Sequence, residues 1–163
     1  MAPVPHRERI EASIDIAAPP ADVWSLVSDL RRMGEWSPQC RRMVIFGGDV
    51  KQGTRTLNVN RQRWKFWPTT AKVVAFEPEK RLALRIAENR TVWTYELEPT
   101  ADGTRVTESR TTPDGVSRLS KALTKVALGG TTQFEAELER GIHATLGRVK
   151  TVVEQGRLEQ GRA

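Results

Sequence analysis

RLALRIAENRTVWTYELEPTADGTRVTESRT, residues 81–111, holds three runs of β-branched and aromatic residues, RLALRI, TVWTYELE and TRVTESRT, parted by AENR and TADG. Each run is too short for a stable helix and each parting carries turn chemistry, so the stretch predicts three strands joined as antiparallel hairpins. The same texture extends towards the N-terminus, where RMVIF, TRTLNVN and TTAKVVAF are set off by GGDVKQG and EPEK. Six short runs at this spacing, ending near residue 111, predict an antiparallel meander.

The flanks read differently. IEASIDI alternates with period two and predicts a first strand; Pro19 and Pro20 then suit a helix start, and PADVWSLVSDL places apolar groups at helical spacing. RRMGEWSPQC breaks that pattern at Gly34 and Pro38. Beyond the meander, Phe134, Leu138, Ile142, Leu146, Val149 and Val153 recur every three or four residues, which predicts a long amphipathic helix, with Gly141 and Thr145 as small residues inside its stripe. Between the two, Val116, Leu119, Leu123 and Val126 predict a shorter helix stopped by Gly129 and Gly130. The expected organisation is a flexible tail over 1–8, one domain over 9–155 with a lid-like helical insertion at 113–130, and a second tail over 156–163. Strand, helix, six strands and a closing helix make an α+β arrangement, in which one curved sheet covers its apolar face with the terminal helix.

Composition sets the outer bounds. At 163 residues, with 38% apolar and 28% charged residues, the chain suits one packed domain and neither a disordered chain nor a two-domain enzyme. Cys40 is the only cysteine, so no internal disulfide forms, and no secretory leader or long apolar run is visible; the expected setting is the cytoplasm. His6 and His143 lie far apart and no carboxylate cluster has metal-ligand spacing, so no metal is expected. The phosphate-loop, dinucleotide and serine-hydrolase motifs are likewise missing from the text.

The order of IDIAAPPADVWSLVSD, EWSP, WPTTAKVVAFEPEKRLALRI, VWTYELEPTADGTRVTESRT and GIHATLGRVKTVVE resembles the START-like, helix-grip (SRPBCC) superfamily, and within it the bacterial polyketide cyclase/dehydrase and lipid-transport proteins. The resemblance spans roughly residues 9–155. It implies a curved seven-stranded antiparallel sheet gripping the C-terminal helix, a cavity between them for a hydrophobic or amphipathic small molecule such as a lipid or polyketide, and no cofactor. It also puts Trp36, Trp67 and Trp93 where rings line such a cavity, and Asn60 at a polar position near it. Fold alone does not give activity, so the residues must argue the site.

Strand alternation does so for two runs. Trp93, Tyr95 and Leu97 share one face, and if Val106 points inward so do Glu108 and Arg110. Two opposite charges facing an apolar chamber need each other, water at an open strand end, or a ligand, because an unpaired buried charge costs several kcal/mol. Glu108 and Arg110 are thus the only candidate catalytic pair. Phe134, Leu138 and Ile142 complete the apolar lining, and Gly141 either makes room for a ligand or lets the sheet approach closely. His143 falls opposite the stripe and is not a candidate acid or base. The facing of the 54–61 strand stays open at this stage.

Two function classes fit. One is binding and transport of a hydrophobic small molecule; the other is a polyketide aromatase/cyclase or dehydratase, for which Glu108, Arg110, Tyr95 and Asn60 form the whole cast without a tight constellation. A third reading starts from charge. The net charge is +6, yet residues 31–65 alone carry +7, from nine basic residues against Glu35 and Asp49. No nucleic-acid motif accompanies that segment, so nucleic acid is disfavoured; it suits an anionic lipid surface, an acidic carrier protein, a ligand carboxylate, or a plain solvated sheet face.

Overall fold

A computed structural model of the chain describes residues 8–114 and 131–162. Seven strands, β1 (Arg9–Ile16), β2 (Cys40–Phe46), β3 (Arg55–Gln62), β4 (Lys65–Glu77), β5 (Arg81–Ile86), β6 (Val92–Thr100) and β7 (Gly103–Thr111), form one antiparallel sheet in the order β1-β7-β6-β5-β4-β3-β2. After β1 the chain makes helix α1 (Pro20–Val27), a 3-10 turn (Leu30–Arg32) and the single-turn helix α2 (Met33–Trp36); the long helix α3 (Thr131–Gln160) closes it. This is the α+β helix-grip arrangement expected.

Bulges bend the sheet where register slips, between Cys40 and Arg42 in β2 and between Val73 and Ala75 in β4. Gly34 lets α2 meet β2: a Cβ there would stand 2.2 Å from the Arg41 carbonyl oxygen. The 54–61 question resolves by pairing, since Asn58 sits opposite the buried Met43 and Thr56 opposite the buried Ala71. Thr56, Asn58 and Asn60 therefore face inward.

The main core lies between the sheet and the C-terminal half of α3. Ile142, Leu146, Val149 and Val153 are buried there with Ile16, Val23, Val27, Leu97 and Val106. A polar clip docks the same half of the helix: Lys150 Nζ donates to the Asp15 carbonyl at 2.6 Å, and the Ala17 N–H donates to Glu154 Oε1 at 2.9 Å. That backbone N–H, ahead of Lys150, holds the Glu154 carboxyl below its ordinary range. Helix α3 runs on to Gln160 and so extends into the span expected as the C-terminal tail, 156–163. The expected insertion at 113–130 lies outside the described residues except for Pro113 and Asp114, as do residues 1–7 of the expected N-terminal tail.

Candidate functional site

The N-terminal half of α3 does not pack down on the sheet. It covers instead a cavity of about 760 Å³, in the range of small-molecule sites. Helix α3 contributes Phe134, Leu138 and Gly141 to the lining; β6 and β7 contribute Trp93, Tyr95, Glu108 and Arg110; β3 and β4 contribute Asn58, Asn60, Trp67 and Thr69; Met43, Leu84 and Ile86 add apolar surface. A Cβ on Gly141 would touch only Pro38 Cγ, at 3.9 Å, so this glycine borders open space and not a close sheet contact.

Two of the expected lining residues lie elsewhere. Trp36 is fully buried in the core and does not border the cavity, and its indole N–H has no hydrogen-bond partner among the described residues. Ile142 is buried with Leu146 in the core, while Gly141, Ala144 and Thr145 on the same stretch of helix line the cavity. The residues not foreseen are mostly polar. Asn58, Thr69, Thr91 and Gln62 line the cavity, and the period-two row Thr56, Asn58, Asn60, Gln62 carried that signal once the facing of β3 was known. This polar wall is largely self-satisfied: Thr56 Oγ1 donates to Asn58 Oδ1 at 2.7 Å, and Asn60 Nδ2 donates to Thr69 Oγ1 at 2.9 Å. At the rim Gln62 donates to the Glu137 carboxylate.

The opposite wall is chemically different. Pairing of β6 with β7 sets Tyr95 directly across from Glu108 and Trp93 across from Arg110. Glu108 is 3% exposed and Arg110 6%. They do not pair with each other. Tyr95 donates its hydroxyl to Glu108 Oε1 at 3.1 Å, while Glu108 Oε2 has no partner among the described residues. Burial pushes the Glu108 carboxyl up to about 8, with the Tyr95 bond opposing, so it is neutral at pH 7. Burial, and next the Glu108 carboxyl, raise the Tyr95 phenol well above its ordinary value. The Arg110 guanidinium lies 5.8 Å from the Phe134 ring centroid, and burial lowers its proton affinity against the opposing charge of Glu135. Cys40, also on the lining, is pushed up to about 11 by burial and is a thiol at neutral pH.

A neutral carboxyl that accepts at Oε1 carries its proton on Oε2, so the free oxygen is a donor. The wall therefore presents an uncharged O–H and a guanidinium, both donors, set among aromatic rings. Such a wall can hold a carbonyl or hydroxyl oxygen of a largely apolar molecule. Among the described residues, no group of three His, Cys, Asp or Glu side chains could hold a metal ion, and no helix is long and apolar enough to cross a membrane.

Comparison with known proteins agrees with this architecture. The polyketide cyclase / dehydrase and lipid transport family matches residues 7–154, and the chain belongs to that family, within the START-like superfamily. Among solved structures, protein NE0264 from Nitrosomonas europaea is similar at 16% identity and TM-score 0.68, over 95% of this chain and 99% of that one. The Polyketide_cyc-like protein Cgl2372 from Corynebacterium glutamicum is 26% identical, with TM-score 0.61 over 93% and 94%. The di-domain ARO/CYC StfQ of the steffimycin biosynthetic pathway is 14% identical, with TM-score 0.72; the match covers 92% of this chain and 51% of StfQ. No curated protein sequence matches the chain.

Proposed function

We propose that the chain binds and carries an amphipathic small molecule, whose apolar body fills the cavity and whose oxygen accepts a hydrogen bond from Glu108. The observation that carries this reading is the unpartnered Glu108 Oε2 on the wall of a cavity of about 760 Å³. A buried donor left without an acceptor costs about 1–3 kcal/mol, which a ligand oxygen recovers. Burial of ligand surface against Trp93, Phe134 and Leu138 supplies most of the affinity. Native mass spectrometry of the purified chain tests for a co-purifying apolar ligand. Leu138→Trp, which fills the cavity, should abolish its retention; an empty wild-type chain that also takes up no fluorescent apolar dye refutes the reading.

The second reading, aromatase/cyclase or dehydratase chemistry on a poly-β-keto chain, draws on the ARO/CYC name of StfQ and on the Tyr95, Glu108 and Arg110 row. Ring closure needs a base for the carbon acid and a donor for the carbonyl. Neutral Glu108, the raised Tyr95 phenol and Arg110 supply donors, and only the minor ionised fraction of Glu108 supplies a base at pH 7. That imbalance favours binding. Turnover of a poly-β-keto substrate that vanishes in Glu108→Gln would favour catalysis.

A further inference from the structure

Most large apolar side chains exposed to solvent among the described residues lie on the β2–β3–β4 side of the sheet, with Trp64 and Phe66 at the β3–β4 tip and Phe46 and Val74 towards the opposite end of those strands. Val44, Phe46, Trp64, Phe66 and Val74 all belong to β2, β4 or the turn between β3 and β4, and Leu158 alone lies elsewhere. Trp64 is 78% exposed and Phe66 63%. Each carries a cation over its ring: Arg61 lies 5.2 Å from the Phe66 centroid and the Lys65 ammonium 5.5 Å from that of Trp64. Arg63 completes the tip with φ +55, which presses a bulky residue into a left-handed turn. From residue 40 to residue 76 the chain holds eight basic residues and one acidic residue, Asp49.

We infer that the β3–β4 hairpin tip is a docking element for an anionic lipid bilayer. Indole and phenyl rings ringed by Lys and Arg suit the boundary between head groups and acyl chains: the rings enter, the cations stay with the phosphates, and the negative surface adds attraction for every basic group. A second copy of the chain is a poor occupant, because a two-fold contact through this patch sets the basic residues against their own copies. Position separates a bilayer from RNA. Arg61, Arg63 and Lys65 of the tip also line the cavity, so a docked tip sets the cavity rim against the head groups and gives an apolar ligand a path that avoids water. Docking stands on the tip alone; the path rests on the binding reading above.

The test uses the full chain with vesicles of phosphatidylcholine alone or of an equimolar mixture with phosphatidylglycerol. Co-sedimentation is expected with the anionic vesicles only and should weaken as salt rises. Arg61→Gln with Lys65→Gln should lower vesicle binding roughly 25-fold, at about fivefold per basic group. Trp64→Ser with Phe66→Ser should lower it more than about tenfold, yet leave Nile red uptake in solution unchanged, since neither side chain lines the cavity. Equal binding to both vesicle types, no binding to either, unchanged binding by the aromatic double variant, or preference for single-stranded RNA over vesicles overturns docking. Failure of the wild-type chain to take up Nile red refutes the cavity reading instead and leaves the vesicle result standing.

Discussion

Glu108→Gln replaces a buried neutral acid by a neutral amide of the same shape, and its effect on stability should reverse with pH. In the folded chain the carboxyl titrates at about 8, against an ordinary value of 4.5. Below pH 4.5 both states hold the proton and the group adds no pH dependence. Between 4.5 and 8 the unfolded chain releases its proton and the folded chain does not, so folding stability falls; above 8 the loss is complete. At about 1.4 kcal/mol per tenfold change in proton affinity, the wild-type chain loses up to about 5 kcal/mol across this window. The variant loses none of it, although its second amide hydrogen has no acceptor, which costs about 1 kcal/mol at every pH. Glu108→Gln should therefore be slightly less stable than wild type at pH 4.5 and more stable by several kcal/mol at pH 9. The difference between the two urea-unfolding free energies isolates Glu108 from the carboxylates of Asp15, Glu35 and Glu154, which are held low and act in the opposite sense. Parallel pH profiles would mean that Glu108 is ionised in the folded state, and the donor role assigned to it would fail.

Tyr95→Phe removes the only donor to Glu108 Oε1 among the described residues and should cost about 1–2 kcal/mol at pH 6, while moving the wild-type pH window upward, as read by the same unfolding series. Gly141→Ala should raise stability by up to about 1 kcal/mol in thermal unfolding, because a mid-helix glycine is replaced where the added methyl meets one atom at 3.9 Å. Gly34→Ala should do the reverse. Its methyl would collide with backbone, not with a yielding side chain, and a loss below about 1 kcal/mol would show that α2 and β2 can part more easily than their spacing implies.

The meander was legible because four of its five turns carry glycine, proline or acidic punctuation and because its runs alternate. The early half of β4 was not. QRWKFWP has no turn signature, and its bend at Arg63 uses a left-handed conformation that arginine seldom adopts. Pro68 also argues against a strand, yet at that point β4 pairs with β3 alone, since its ladder with β5 begins only at Ala71, so a missing N–H is tolerated. Tyr95 and Glu108 could be assigned to inward faces from alternation, but not to each other, because register across a hairpin is a property of the turn. Trp36 ends a one-turn helix, and no periodicity in so short an element tells core from cavity wall; here the ring is fully buried in the core and does not border the cavity. The ladder in β3 needed its pairing partners before its polar row could be oriented.

Helix α3 spends its two halves differently, and this bears on how such a chain can change. The buried anchors Ile142, Leu146, Val149 and Val153 lie mostly past the residues that border the cavity, Phe134 to Gly141, along a single continuous rod, and the two sets overlap only where Ala144 and Thr145 also line the chamber. Substitutions in the first turns alter the shape and polarity of the chamber while the hydrophobic seal further along stays untouched. Ligand preference in this scaffold is therefore free to drift from one descendant to the next at little risk to folding, which is the property a lineage needs if one architecture is to serve many small molecules.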